Sequence, residues 1–300
     1  MNRLAAAGAV AALAIVAACS PAGERSPDLP AELVTGTTQV TRIAVIGDFG
    51  SGKQGERELA ATVRSDDQRA GFAALITTGD NVYPSGNPAD FASAWTVPYG
   101  WVDDAGIPVL ASLGNHDRKS GKQDQVMELL GMPGRWYDKQ VGDVQVIVLD
   151  ANDVENPDQT RFLDDVLAAP RAPGVRWRVV VFHQPAFSCS RHQSTPAVQK
   201  AWVPLFSRSD VDLVLNGHDH VYERFGPVHG VTYVVTGGAG DSLYEMRSCP
   251  KGTPQPVVAA VHKHYLVIEA SSDQLRIEAV TGQGTLLDSA VLAHRDARRS

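Results

Sequence analysis

Short apolar runs in this 300-residue chain are followed by side chains that can bind metal ions. In chain order these stretches are GDFG (47–50), GDNVY (79–83), GNHD (114–117), FHQP (182–185) and NGHDH (216–220). Carboxylate, amide, phenol and imidazole donors without a thiolate suit a pair of first-row metal ions better than a structural zinc cage. The five stretches therefore predict a site for two metal ions.

The elements that carry these stretches are predicted from apolar runs rich in Val and Ile, bounded by Gly, Asp, Asn or Pro. We predict strands at 42–46, 73–77, 108–113, 144–149, 178–182, 211–215, 231–235 and 265–270. Helical periodicity predicts helices at 55–63, 158–168 and 196–207, whereas residues 231–292 favour strands and turns. This pattern predicts an α/β fold with an antiparallel tail. Because ligands collect beyond the carboxyl ends of strands in such sheets, the five stretches should converge.

The donor set contains two Asp, one Asn, three His and one Tyr, and a site for two ions needs one shared ligand. Asp80 is the predicted bridge, since the two oxygens of a carboxylate can each bind one ion. Tyr83 has two interpretations: a loop aromatic near Gly and Pro, or an anionic phenolate ligand that favours ferric iron. Asn115 would add a ligand without adding negative charge.

The ordered motifs GDxG, GDxxY, GNH, VxxH and GHxH resemble the purple acid phosphatases, tartrate-resistant type, of the calcineurin-like metallophosphoesterase superfamily, over residues 42 to about 245. The resemblance implies a four-layer α/β/β/α sandwich of two mixed sheets with helices outside. It also implies two metal-binding groups that share one residue. Fe(III) would be held by Asp48, Asp80, Tyr83 and His220, and a second, divalent ion (Fe, Zn or Mn) by Asp80, Asn115, His183 and His218.

The activity implied is that of an acid phosphatase, which hydrolyses phosphomonoesters by in-line attack of a metal-bound hydroxide. His116 and His192 are the candidates for binding the phosphate and protonating the leaving group, and small phosphorylated molecules are the expected substrates. His192 follows His183 by nine residues, as in the small animal-type members. Two alternatives stay open: a phosphodiesterase of the same superfamily, and a non-catalytic surface lipoprotein that binds phosphate or a partner.

A rival enzyme class is indicated by GDFGSGKQ at 47–54, which follows a predicted strand and fits the start of a P-loop. Gln54 lacks the hydroxyl that contacts Mg²⁺ in that motif, so we disfavour a nucleotide-binding loop. Two further acidic residues have open roles. Asp117 would orient His116 or close the turn, and Asp219, between two ligand histidines, is expected to point away from them.

The N-terminus resembles a bacterial export signal. Residues 1–18 combine Arg3 with an apolar stretch shorter than a membrane-spanning helix, and the small residues before Cys19 match a lipidation site. We therefore predict a signal peptide (1–18), a lipid-anchored tether (19–40) and a metallophosphoesterase domain (41–300). The alternative is an ordinary secretory signal in which Cys19 is incidental. In both cases the protein would be exported, to the periplasm or cell surface, with membrane contact only through the lipid.

The charge balance excludes one class of partner. With 27 Lys and Arg against 34 Asp and Glu, the formal net charge is −7, which argues against nucleic-acid binding. Cys189 and Cys249 form an even pair in an exported chain, and either a disulfide or two free thiols would fit that pattern.

Overall fold

The computed structural model describes residues 40–240 and 242–294. The signal peptide (1–18), Cys19 and the tether as far as residue 39 lie outside the described residues, so these assignments stay predictions. Within the described part of the chain, no helix has the length and apolar character needed to cross a bilayer.

Strands dominate the described chain. They are β1 (Thr41–Ile46), β2 (Ala74–Thr77), β3 (Val109–Ala111), β4 (Tyr137–Val141), β5 (Val144–Val148), β6 (Trp177–Val181), β7 (Leu213–Asn216), β8 (Tyr222–Val228), β9 (Val231–Thr236), β10 (Pro256–Ala260), β11 (His264–Ala270), β12 (Gln274–Thr281) and β13 (Leu286–Ala293). The α-helices are α1 (Gln54–Ala70), α2 (Val97–Asp104), α3 (Asn115–Arg118), α4 (Gln123–Leu129), α5 (Pro157–Ala168), α6 (Pro196–Ala201) and α7 (Val203–Arg208). Short 3₁₀ segments at Pro88–Asp90 and Ala151–Asp153 and a π-helical turn at Ala92–Thr96 complete the elements.

The strands form two mixed sheets. Sheet 1 has the order β13-β12-β11-β1-β2-β3, and sheet 2 has the order β10-β8-β9-β7-β6-β5-β4. In sheet 1, β1, β2 and β3 are parallel, and in sheet 2, β5, β6, β7 and β9 are parallel. The remaining pairs are antiparallel. Each sheet therefore has a parallel part whose strands all end at one edge.

Side-chain alternation along the strands of sheet 2 generates the layers. Val146 of β5 and Val179 of β6 pack in one hydrophobic cluster with sheet 1, whereas the next residues, Ile147 and Val180, pack in a second cluster with α5, α6 and α7. Helices α1 and α2 pack on sheet 1 through residues of the first cluster, such as Leu59. The predicted four-layer α/β/β/α sandwich is confirmed.

The eight predicted strands are present, with ends that differ by up to two residues. One helix prediction is wrong in detail. The segment 196–207 forms two helices, α6 and α7, that meet at Trp202, because Pro204 lacks the backbone N–H that a continuous helix needs. Helix α1 continues seven residues beyond its predicted end at residue 63, to Ala70.

The turn between β1 and α1, which fits the start of a P-loop motif, is bonded internally. The Gly52 N–H and the Ser51 hydroxyl both donate to Glu56 Oε2, at 2.6 and 3.0 Å. In a P-loop such backbone donors face a phosphate. Here the Gly52 N–H donates to the buried Glu56 carboxyl of α1 and not to a ligand. This bond disfavours nucleotide binding at the turn.

Burial raises the pKa of Glu56 to about 8, against the opposing effect of the bonds from Gly52 and Ser51. Because this pKa lies above the ordinary 4.5, folding retains the proton, and the wild type loses unfolding free energy as pH rises from about 5 to about 8. We therefore expect the unfolding free energy of Glu56→Gln, relative to that of the wild type, to be higher at pH about 8 than at pH about 5, by on the order of a few kcal/mol. Urea unfolding at the two pH values measures the difference.

The matched control is Glu58→Gln, on the exposed face of the same helix, which should show the same difference from wild type at both pH values. If Glu56→Gln behaves as the control does, Glu56 does not carry a raised pKa in the folded protein.

Candidate metal centre

The predicted ligands converge at the edge where the parallel strands of both sheets end. Asp48, Asp80 and Asn115 follow β1, β2 and β3 of sheet 1. The three histidines follow β6 and β7 of sheet 2 and are His183, His218 and His220. Contacts between the two sets, such as His183 with Asp80 and His220 with Asp48, show that both sheets build one site.

The first donor group consists of Asp48, Asp80, Tyr83 and His220. The Tyr83 hydroxyl lies 2.9 Å from Asp80 Oδ2, 3.3 Å from Asp48 Oδ1 and 3.0 Å from His220 Nε2. His220 Nε2 lies 3.4 Å from Asp48 Oδ1. Three oxygens and one nitrogen thus point at one another, as the ligands of a single hard cation do.

The second donor group consists of Asp80, Asn115, His183 and His218. His183 Nε2 lies 3.4 Å from Asp80 Oδ1, 3.1 Å from Asn115 Oδ1 and 3.2 Å from His218 Nδ1. Asp80 turns Oδ2 to the first group and Oδ1 to the second, which is the orientation of a bridging carboxylate. The geometry therefore brings all seven predicted ligands together in two groups that share Asp80.

Three of these ligands have left-handed backbone conformations, which non-glycine residues adopt rarely. The φ angles are 56° at Asp48, 53° at Asp80 and 72° at His218. Each such residue costs on the order of 1–3 kcal/mol and persists only where its surroundings hold it. Here the His218 N–H donates to both Asp48 oxygens, at 3.1 and 2.9 Å, and the His116 N–H donates to Asp80 Oδ1 at 2.8 Å.

Gly79 shows why a glycine precedes a ligand. Its φ is +96°, and a Cβ there would lie 2.6 Å from His183 Nδ1. That nitrogen also lies 2.9 Å from the Thr78 carbonyl oxygen, to which its N–H can donate. Such a bond leaves Nε2 as the nitrogen that faces the site, in the way that ligating histidines are usually oriented. His220 Nδ1 has the same arrangement with the Ser242 carbonyl oxygen.

The two carboxylates of the donor groups favour positive charge on their neighbours. Burial opposes ionisation of Asp80, but the neighbouring His183 imidazolium lowers the pKa of Asp80 well below its usual range. Burial likewise opposes charge on His183, yet Asp80 and Asp48 raise its pKa to about 10. Burial and the same two carboxylates raise the pKa of the Tyr83 phenol well above 10. Positive charge is thus favoured among these donors, which fits the binding of two cations.

Asp117 closes the turns between strands and does not orient the His116 ring. Its Oδ1 accepts the N–H groups of Asn81 and Val82 at 2.9 and 3.0 Å, and its Oδ2 accepts the Gly114 N–H at 2.8 Å. Burial and the Asp80 charge raise the pKa of Asp117 to about 7 against these bonds. Asp117 therefore ties the Asp80 loop to the Asn115 loop.

The two candidate catalytic histidines lie beside the predicted ligands, and neither is buried. The His116 ring lies 4.5 Å from the Tyr83 ring, and its Nε2 lies 2.7 Å from Lys119 Nζ. The His192 side chain is exposed, and its ring lies 4.2 Å from the His218 ring. Each donor group thus has one additional imidazole beside it.

Asp219 holds the loop that carries His192. Its Oδ1 accepts the His192 N–H at 2.8 Å and its Oδ2 accepts the Ser188 hydroxyl at 2.6 Å, so it points away from the ligands as expected. Glu223 Oε2 lies 2.7 Å from the Ser188 hydroxyl oxygen, and its Oε1 accepts the Cys189 N–H at 2.8 Å; burial raises the pKa of Glu223 to about 7. Sequence reasoning assigned no role to Glu223.

Tyr244, like Glu223, lies at the site although the sequence predicts no role for it. Its ring stacks on the predicted ligand His220 with centroids 3.9 Å apart and an angle of 12° between planes. The loop that carries it is bonded to the His192 loop by the disulfide Cys189–Cys249, which settles the open choice between disulfide and free thiols. The only signal in the sequence was an aromatic residue near this cysteine pair.

Residues 41–222 match the calcineurin-like phosphoesterase family. The chain belongs to this family. Its members are metal-dependent phosphoesterases, and the cluster of Asp48, Asp80 and His183, whose ligand atoms lie within 4.8 Å of one another, is the candidate metal site of this one.

Two curated relatives come from Arabidopsis thaliana. Purple acid phosphatase 3 is 24% identical over 67% of this chain and 63% of its own length, and purple acid phosphatase 4 is 25% identical over 73% and 75%. The alignment therefore covers less than two thirds of the first of these relatives.

Two solved structures share the fold. Purple acid phosphatase PPD1 from yellow lupin (Lupinus luteus) seeds superposes with a TM-score of 0.73 at 19% identity, over 85% of this chain and 54% of its own. GAP50, the anchor in the inner membrane complex of Plasmodium, also has a TM-score of 0.73, at 17% identity, over 85% and 89%. Likeness at these identities shows the fold.

The shared position of Asp80 predicts how metal content responds to substitution. We expect the wild type, loaded and then desalted, to retain about two ions per chain. Asp80→Ala should lose both, because each donor group loses an oxygen, whereas Asn115→Ala should retain the ion of the Tyr83 group. Elemental analysis by mass spectrometry measures the content, and one retained ion in Asp80→Ala would contradict the bridging role.

Proposed function

We propose that this chain is a dinuclear-metal acid phosphatase of the purple acid phosphatase type, which hydrolyses phosphomonoesters. The observation that carries the proposal is the Tyr83 hydroxyl within 3.3 Å of Asp48, Asp80 and His220. A phenol that shares a donor group with two carboxylates ionises only beside a strong cation. As a hard anionic oxygen, the phenolate then favours ferric iron over a divalent ion.

The proposed metal assignment follows from the two donor groups. Asp48, Asp80, Tyr83 and His220 would hold Fe(III), and the second group, which has a neutral amide and two imidazoles, would hold a divalent ion: iron, zinc or manganese. When bound, such ions supply charge for the phosphoryl oxygens and an activated water for in-line displacement.

Side chains beside the two donor groups, His116, Lys119 and His192, would bind the phosphate and transfer protons. Lys119 lies next to His116 Nε2 and adds a positive charge to the entrance. Desolvation, helped by the Arg191 charge and opposed by Asp219, lowers the pKa of the His192 imidazole below its ordinary value. A histidine with a lowered pKa gives up its proton readily once protonated, which suits a leaving-group acid that operates at acidic pH.

Export to an oxidising compartment is part of the proposal. The N-terminal pattern and Cys19 motivate it, and the Cys189–Cys249 disulfide supports it, because disulfides are rare in the cytosol. Residues 1–18 would be removed and Cys19 lipidated, in the periplasm or at the cell surface. The mass of the mature N-terminal peptide tests this step, and an unmodified Cys19 would exclude the lipid anchor.

Turnover is the first test. With iron plus zinc or manganese supplied, the purified protein should hydrolyse p-nitrophenyl phosphate faster than bis-p-nitrophenyl phosphate. Removal of the ions with a chelator should abolish turnover, and their return should restore it. The opposite preference would favour a phosphodiesterase. No turnover on either compound by the fully loaded protein would favour a non-catalytic binding protein, which the fold alone permits.

Colour is the second test. A ferric ion bound by the Tyr83 phenolate should give a charge-transfer band in the visible spectrum, so the iron-loaded wild type should be violet. Tyr83→Phe should lose the band because the ring remains without its oxygen. The matched control is Tyr233→Phe, a buried tyrosine of β9 in the second hydrophobic cluster, which should keep the colour. A colourless iron-loaded wild type would return Tyr83 to the role of a loop aromatic.

A further inference from the structure

A cavity of about 270 Å³ opens beside the metal centre, between the loop after β6 and the loop after β9. Its lining consists of Arg191, Leu243, Tyr244, Glu245 and Arg247. None of these residues belongs to the predicted donor groups. The Arg191 cavity, as we call it, therefore offers contacts beyond those that bind the reacting phosphate.

The walls of the Arg191 cavity are held together at several points. The disulfide Cys189–Cys249 joins the two loops, and the Arg247 N–H donates to the Cys189 carbonyl oxygen at 2.7 Å. The Ser190 hydroxyl donates to the Glu245 carbonyl oxygen at 3.1 Å, and Arg247 Nη1 donates to the Arg191 carbonyl oxygen at 3.3 Å. The backbone of the two loops is thus held together around the cavity.

The position of Tyr244 connects the cavity to the metal centre. One face of its ring stacks on the ligand His220, and the Arg191 guanidinium carbon lies 4.8 Å from the ring centroid, over the ring. His192 meets the same ring edge-on at 5.5 Å. The Tyr244 ring therefore contacts the Arg191 guanidinium, the predicted ligand His220 and the candidate leaving-group acid His192.

The charges of the lining favour an anion. Arg191 and Arg247 are exposed, and no carboxylate within residues 40–240 and 242–294 lies within ion-pair distance of either guanidinium. Among the residues that the structure describes, Glu245 is the one acid of the lining, so two positive charges there face one negative charge. Guanidinium groups with unused N–H donors bind phosphate in a bidentate manner.

We propose that the Arg191 cavity binds a second phosphate of the substrate, which makes diphosphate esters better substrates than monophosphates. The terminal phosphate would lie at the two donor groups, and Arg191 and Arg247 would contact the next phosphate on the leaving-group side. Water would displace this group by breaking the terminal P–O bond, so the products are inorganic phosphate and the shortened ester. This inference rests on the proposed phosphatase activity and names its substrate class.

The pair ADP and AMP isolates the second phosphate, because both carry the same nucleoside. We expect the ratio of kcat/KM for ADP to that for AMP to fall about tenfold in Arg247→Gln and in Arg191→Gln, since each loses a charged hydrogen bond to the second phosphate. Glu245→Gln removes the one negative charge of the lining and should raise the ratio. Arg208→Gln, an exposed arginine at the end of α7, is the matched control and should leave the ratio unchanged.

Binding gives a readout that does not depend on turnover. Calorimetry with α,β-methylene-ADP and with AMP should show the same change in relative affinity, with thermal unfolding as the check that each variant is folded. If loaded wild type hydrolyses none of ADP, AMP and p-nitrophenyl phosphate, the proposed phosphatase fails. If it hydrolyses AMP and the arginine variants leave the ADP-to-AMP ratio at the wild-type value, the phosphatase stands and the second-phosphate site is wrong.

Discussion

The structure depends on holding one buried carboxylate, Asp80, between two groups of donors that would otherwise be pushed apart. Carboxylate, phenol and imidazole atoms lie 2.9 to 3.4 Å from one another in a region with little solvent. Asp48 and Asp80 bring two carboxylates into this region, and a low dielectric strengthens their mutual repulsion. The left-handed backbone at Asp48, Asp80 and His218 adds a conformational cost. The rest of the fold has to offset both the electrostatic repulsion and this conformational cost.

Buried acids that bind no metal in our assignment help to offset the conformational cost. Asp117 collects N–H donors from two loops of sheet 1, while Asp219 and Glu223 share the Ser188 hydroxyl and fix the loop that carries His192. Each therefore acts as an acceptor for backbone groups that would otherwise be unpaired. These bonds position the ligands and the two candidate catalytic histidines, His116 and His192, as much as the strands do.

The sequence predicts the elements that are buried on both faces. The apolar runs of β1, β6 and β7 are continuous, so both their location and the ligands that follow them could be read directly. Strand β12 alternates between buried and less buried residues, and β4 exposes its three central residues. Both strands carry charges, and neither was predicted. Tyr244 and Glu223 could not be placed either, because their roles arise from contacts between distant loops joined by a disulfide.

The supply of ligands from both sheets has a consequence for folding. Asp48, Asp80 and Asn115 belong to the ends of sheet 1, and the histidines belong to the ends of sheet 2. A cation held by both sets is a cross-link between the two halves of the sandwich. Because such a cation binds the folded chain alone, conformational stability becomes a function of free ion concentration. The resistance of this protein to proteolysis would then report the supply of trace metal around it.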